Sequence, residues 1–135
     1  MSSELYNFLH PVDSSEEREV FISDRFRDKD GNPVLFKVRA LSQDEAERMA
    51  KQCRKTKKVD GQRVEYVDEL ELTRRLVVAG TVFPDFAAKE VCDMAETLDP
   101  LIAVGRLLKA GEFKKLLNEI SDLSGYGDLE EEVKN

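Results

Sequence analysis

Hydrophobic and polar positions follow two different periods along this chain, and the change of period divides it. Val34, Phe36, Val38 and Ala40 alternate with Leu35, Lys37 and Arg39, the two-residue period of a half-buried strand. Glu19 to Ser23 (EVFIS) reads as a partner strand. Between them, DKDGNP supplies an Asp-Gly pair and a proline suited to a tight turn, which predicts a β-hairpin over 19–41. Val64 to Val67 (VEYV) is a candidate third strand, which would support a hairpin that is marginal alone.

From residue 42 onward the dominant period is 3.6. Ser42 to Glu45 (SQDE) has the form of a capping box, and Ala46, Met49, Ala50 and Cys53 form the apolar stripe of a helix over about 43–55, fraying at KTKKVDGQ. Further helices are expected at about 69–80, 86–97, 100–109 and 112–124. Pro84 ends the first of these, because it lacks a backbone N–H and disfavours helical geometry at Phe83; Asp85 can cap the next. Asp99-Pro100 is a start signal, and Gly125 is a stop. Phe113, Leu116, Leu117, Ile120 and Leu123 give the last helix the clearest apolar face in the chain.

Near the N-terminus, Leu5, Phe8 and Leu9 fall at helical spacing before Pro11, which predicts a short amphipathic helix that water alone would not sustain. The fold class is therefore α+β: a small antiparallel hairpin or three-stranded sheet followed by a mainly helical C-terminal half. Residues 1–12 form an N-terminal arm, 13–126 a single α+β domain that opens on a polar linker from Asp13 to Glu19, and 127–135 an acidic tail.

Composition narrows the class of function. A length of 135 residues suits one domain, and 36% charged residues with a net charge of -7 describe a well-solvated acidic surface, which argues against bulk affinity for nucleic acid or anionic membranes. No stretch approaches the ~18 apolar residues of a membrane span, and no basic region followed by an apolar run opens the chain, so a cytoplasmic location is expected. Cys53 and Cys92 lie in separate predicted helices without CxxC spacing and read as small core residues.

Catalytic and ligand motifs are missing. His10 is the sole histidine, and GxSxG, GxxxxGK[ST] and GxGxxG do not occur. Asp28, Asp30 and Gly31 match part of a calcium loop, but Phe26 and Lys37 stand where its first and last ligands belong. The expectation is a non-catalytic protein with no metal and no cofactor. Arg48, Lys51, Arg54, Lys55, Lys57, Lys58 and Arg63 concentrate positive charge, read first as a solvated helix end, then as a contact for a protein partner, and last as a nucleic-acid patch.

The order of motifs carries a resemblance. SELYNFL is followed by ISDRFRDKDGNPVLFKVRAL, SQDEAE, a basic break, LTRRLVVAGTVFPDF, GRLLKAGEFKKLLNEI and a closing SGYGD. In that order, and over nearly the whole chain, this resembles the XkdN-like phage tail assembly chaperones of prophages and contractile-tailed phages. The resemblance implies a non-enzymatic protein that keeps the tape measure protein soluble and recruits tail tube subunits, with a longer frameshifted product in many relatives. It supplies no residue set position by position. Interface candidates come from the apolar faces instead: Leu5, Phe8 and Leu9 on the arm, and Leu116, Ile120, Leu123 and Tyr126 on the last helix. For each Leu and Ile, ordinary core packing is the competing reading. Exposed strand edges and a detachable arm would permit self-association. The alternatives to the chaperone are a nucleic-acid-binding phage regulator using the basic 48–63 segment and a minor structural tail protein.

Overall fold

The computed structural model describes residues 2–11 and 17–126. The acidic tail and most of the expected linker lie outside the described residues. The chain opens with α1 (Ser3–Leu9), capped by the Ser2 hydroxyl, and none of its residues is buried.

Strand β1 (Glu17–Val20) pairs antiparallel with β2 (Phe36–Arg39), placing Val20 opposite Phe36. It begins two residues before the expected EVFIS strand and ends at Val20 rather than Ser23, where the chain leaves the ladder and then turns at Asp24-Arg25, with Arg25 drawn onto Glu112. Ile22 stays buried outside the strand. The DKDGNP turn forms farther along the connection, with the Asp28 carboxylate accepting from the backbone N–H groups of Asp30 and Asn32, both at 2.9 Å.

A capping box opens α2 (Gln43–Gln52): Ser42 Oγ accepts from Glu45 N at 3.1 Å and Glu45 Oε1 from Ser42 N at 3.2 Å. The helix does not fray into a loop. It ends at Cys53, and the basic run continues as β3 (Arg54–Val59), which pairs with β4 (Gln62–Val67) in a separate two-stranded ribbon. Asp60 and Gly61, at φ 52° and 79°, form its two-residue turn. Val64 to Val67 is thus a strand but not a member of the main sheet.

The third strand of that sheet comes from elsewhere. After α3 (Glu69–Gly80) the chain extends into β5 (Thr81–Phe83), which pairs with β2 to give the order β1-β2-β5. The following Phe83–Pro84 peptide is cis. Helix α4 (Lys89–Met94) is shorter than the expected 86–97, because Asp85 accepts from Ala87 N at 3.0 Å and builds a turn that buries Phe86. Asp99 caps α5 (Pro100–Leu107), and α6 (Ala110–Leu123) completes the described fold.

Helices α3, α5 and α6 bury one face of the sheet. Phe36 and Val38 from β2 meet Val77, Val104, Leu116 and Ile120, with Val20, Ile22, Phe86 and Leu108 around them. Burying side chains of this size stabilises by ~1.5–3 kcal/mol each before entropy is counted. A satellite cluster of Cys92, Ala95 and Ala103, with Leu107 against it, joins α4 to α5. Both cysteines are free and buried, and burial pushes the Cys53 thiol pKa up.

Candidate partner-binding groove

The expected interface residues fall into three situations. Leu116 and Ile120 are 0% and 1% exposed and belong to the core. Leu123 packs, partly buried, against that core. Leu5, Phe8, Leu9 and Tyr126 are 47%, 78%, 52% and 62% exposed, so the apolar surface of the arm and of the α6 terminus stays open. The two sets are not brought together: α1 has no buried residue, whereas Tyr126 lies at the edge of a groove.

That groove runs between α2, α3 and α6 and encloses about 670 Å³. Small residues of α2, Ala46 and Ala50, form one wall; Leu72 and Leu76 of α3 form the other; Leu117 and Ile120 of α6 lie along its base. The i, i+4 spacing of Ala46 and Ala50 keeps the α2 wall flat, which leaves room for a guest side chain. Ser42, Gln43, Glu47 and Asn118 rim it with polar groups. An apolar floor within a polar rim suits the apolar stripe of an amphipathic segment.

Local chemistry fixes both ends of the groove. Gly125, at φ 94°, donates to Asp122 O at 3.1 Å, and Tyr126 N donates to Ser121 O at 2.9 Å, a Schellman termination that sets Tyr126 at the lip. Ser124 Oγ donates to Ile120 O at 2.7 Å and accepts from Leu41 N at 2.9 Å, tying the end of α6 to the start of α2. Arg39 holds α2 from the sheet side, with Nη2 at 2.6 Å from Glu45 Oε2. This guanidinium, with help from the Ser42 backbone, lowers the Glu45 pKa to about 2.

The base of α6 is pinned in the same way. Arg25 donates to both Glu112 oxygens, at 2.6 and 3.0 Å, and to Leu107 O at 2.9 Å. Glu112 also accepts from Lys109 N at 2.7 Å. Together these hold the Glu112 pKa at about 2, with the Arg25 hydrogen bonds the largest cause.

The groove walls could be read in part from the sequence, since Ala46 and Ala50 lie on a predicted apolar stripe and Leu72 and Leu76 fall at i and i+4 within the helix expected over 69–80. What periodicity could not supply is that α2 stands away from α6 and leaves these stripes uncovered. Among the described residues, no group of three or more His, Cys, Asp or Glu is placed to hold a metal ion, and no helix is long and apolar enough to cross a membrane.

A small sheet covered on one face by helices, with an open apolar groove beside it, defines an α+β protein with a surface for apolar side chains. The chain belongs to the phage XkdN-like tail assembly chaperone family, whose model matches residues 5–135. It is 37% identical over 127 residues to the uncharacterized protein YqbN of Bacillus subtilis, covering 90% of this chain and 85% of that one. It is 33% identical to the phage-like element PBSX protein XkdN of the same organism, over 90% of this chain and 86% of the relative. A crystal structure of the protein YqbN superposes with a TM-score of 0.71 at 31% identity, covering 87% of this chain and 92% of that one.

Proposed function

We propose that this chaperone acts without catalysis, in the host cytoplasm, by holding an apolar helical segment of the tape measure protein in the α2–α3–α6 groove and delivering it to tail tube subunits. The observation that carries this reading is the groove itself: apolar walls from three helices, left open by the fold and rimmed by polar side chains. Reversible holding suits such a surface, because burial of apolar area is non-directional and tolerates many guest sequences.

The test is co-expression of the full chain with the tape measure protein from the same phage. The expected result is a soluble tape measure protein that co-purifies with the chain. Ala46→Glu, which places a carboxylate on the groove wall while leaving the core untouched, should keep the circular dichroism of the parent and lose most of the co-purified partner. Co-purification undiminished by this variant would remove the groove from the mechanism, and failure of the parent chain to solubilise the tape measure protein would remove that partner.

A further inference from the structure

The β3–β4 ribbon is left uncovered by its own fold. Every residue from Arg54 to Tyr66 is exposed. Residues 54–67 hold five basic and two acidic side chains, a net of +3, so the rest of a chain of net -7 carries -10. The pairing register sorts these side chains, with Lys57 opposite Val64, Lys58 opposite Arg63 and Val59 opposite Gln62. Facing residues share a side and successive pairs alternate, so Val59, Val64 and Tyr66 line one face with Lys55 and Lys57, while Arg54, Lys58 and Arg63 line the other.

Two of the cations have work within the chain: Lys55 Nζ lies 2.6 Å from Asp68, and Lys57 sits over the Tyr66 ring at 4.9 Å. Arg54, Lys58 and Arg63 form no ion pair among the described residues. Lys58 and Arg63 are like charges directly opposite, an arrangement that weakens a ribbon already marginal as two strands. An anionic, partly apolar surface laid against the face of Lys57, Val59 and Val64 would cover its apolar side chains and steady the ribbon.

The complementary chemistry lies at the corner between α4 and α5. Met94 and Leu98 are 78% and 95% exposed there, and Asp93, Glu96 and Asp99 alternate with them along the chain. The corner is rigid rather than slack. Arg106 Nη1 donates to Ala95 O at 2.9 Å and Glu96 O at 3.1 Å, and Thr97 N donates to Cys92 O at 3.1 Å. Glu96 is held at φ 57°, a left-handed conformation that a non-glycine side chain resists, and the chain keeps it while presenting Leu98 outward. Asp93 pairs with Lys89 at 2.7 Å, but both side chains are more than half exposed and the pair is weak; Asp99 caps α5.

The end of the corner, at Asp99, lies on the same side of the molecule as the root of the ribbon. Asp99 and Pro100 line a depression together with Gln52 and Glu71, which flank the root of the ribbon. A two-fold axis on that side would set each ribbon against the corner of the other copy. We propose that the ribbon of one copy docks on the α4–α5 corner of a second copy, with Val59 and Val64 on Met94 and Leu98, and Lys57, on the same face, on Glu96 and Asp93, making a symmetric dimer. A second copy fits better than nucleic acid, because the ribbon alternates apolar side chains with its cations and the remaining charge of the chain repels a polyanion. The inference is independent of what the groove binds.

Sedimentation velocity of the full chain over a concentration series, at about 0.05 M and about 0.5 M salt, tests it. The expected result is a dimer that high salt weakens. Lys57→Glu and Glu96→Lys should each dissociate it, weakening association by roughly tenfold or more with circular dichroism unchanged. Mixing the two reversed variants should restore the dimer, because each reversed ribbon then meets a reversed corner and each native ribbon a native one. A parent chain that stays monomeric at every concentration overturns the proposal, as does a mixture that fails to associate. A dimer that persists in both variants does so too. If the ribbon variant instead loses affinity for a single-stranded oligonucleotide while oligomerisation is unaffected, the ribbon belongs to nucleic acid and the dimer is again overturned.

Discussion

At the scale of single residues, a glycine lets α3 lie close against α6 in the core. A Cβ built on Gly80 would lie 2.5 Å from Ile120 Cγ2 and 2.8 Å from its Cδ1. Ile120 is 1% exposed, and the contact falls on Cγ2 at its β-branch, which cannot swing aside as the end of a longer side chain would. Replacing a helical glycine with alanine ordinarily stabilises by ~0.5–1 kcal/mol. Here the sign should reverse: Gly80→Ala is expected to cost about 1–3 kcal/mol through overpacking, and adding Ile120→Val should recover part of that loss. Urea unfolding midpoints of the two variants and the parent decide it, and a Gly80→Ala chain more stable than the parent would show that α3 and α6 can move apart. The same contact explains why Ile120, read from periodicity as an interface candidate, is occupied inside the molecule.

At the scale of elements, the ends of helices are where local chemistry reaches function. Gly125 takes the left-handed position after α6, and Tyr126 owes its place at the groove lip to the two hydrogen bonds that follow from it. Gly125→Ala should cost about 1–2 kcal/mol and displace Tyr126, so partner retention should fall even at temperatures where the chain remains folded. Equal retention by parent and variant, measured by co-purification alongside the thermal midpoint, would show that Tyr126 is not part of the contact. Signals of this kind were legible beforehand: the Ser42–Glu45 box, the Asp99-Pro100 start and the Gly125 stop are each written within a few residues. The ribbon was legible only by half: VEYV was read as a strand and is β4, whereas its partner RKTKKV carries almost nothing apolar, because no face of it meets the core, and was expected to fray. Strand β5 was hidden for a different reason: three residues are too few to show a period, and its partner β2 is distant in sequence. The groove was legible as stripes on separate helices, but not as a gap between them, since spacing along one helix does not say how far its neighbour stands.

At the scale of the whole molecule, two carboxylate clamps hold the parts in register. Glu112 joins the loop after β1 to the start of α6, and Glu45 joins the end of β2 to the start of α2. Both have folded pKa values of about 2 against an ordinary 4.5. Between those values the unfolded chain binds protons that the folded chain refuses, so acid favours unfolding. The contribution of both clamps is complete above about pH 5 and disappears as the pH falls toward 2, the direction required when a carboxylate pKa is lowered by folding. Arg25 and Arg39 remain charged throughout, so the titration belongs to the acids. Thermal midpoints measured from pH 7 down to pH 2 should therefore fall steeply below about pH 5. The variant Glu45→Gln/Glu112→Gln isolates the effect, because glutamine can keep a capping-box hydrogen bond but cannot ionise. It should start less stable at pH 7, by an amount tempered by the partial exposure of both arginines, and its midpoint should approach that of the parent as the pH drops. Parallel curves for the two proteins would mean that the clamps are geometric only, and that the acid sensitivity of the fold lies in its other carboxylates. Convergence would place it in the two contacts that fix α2 and α6, the walls of the groove.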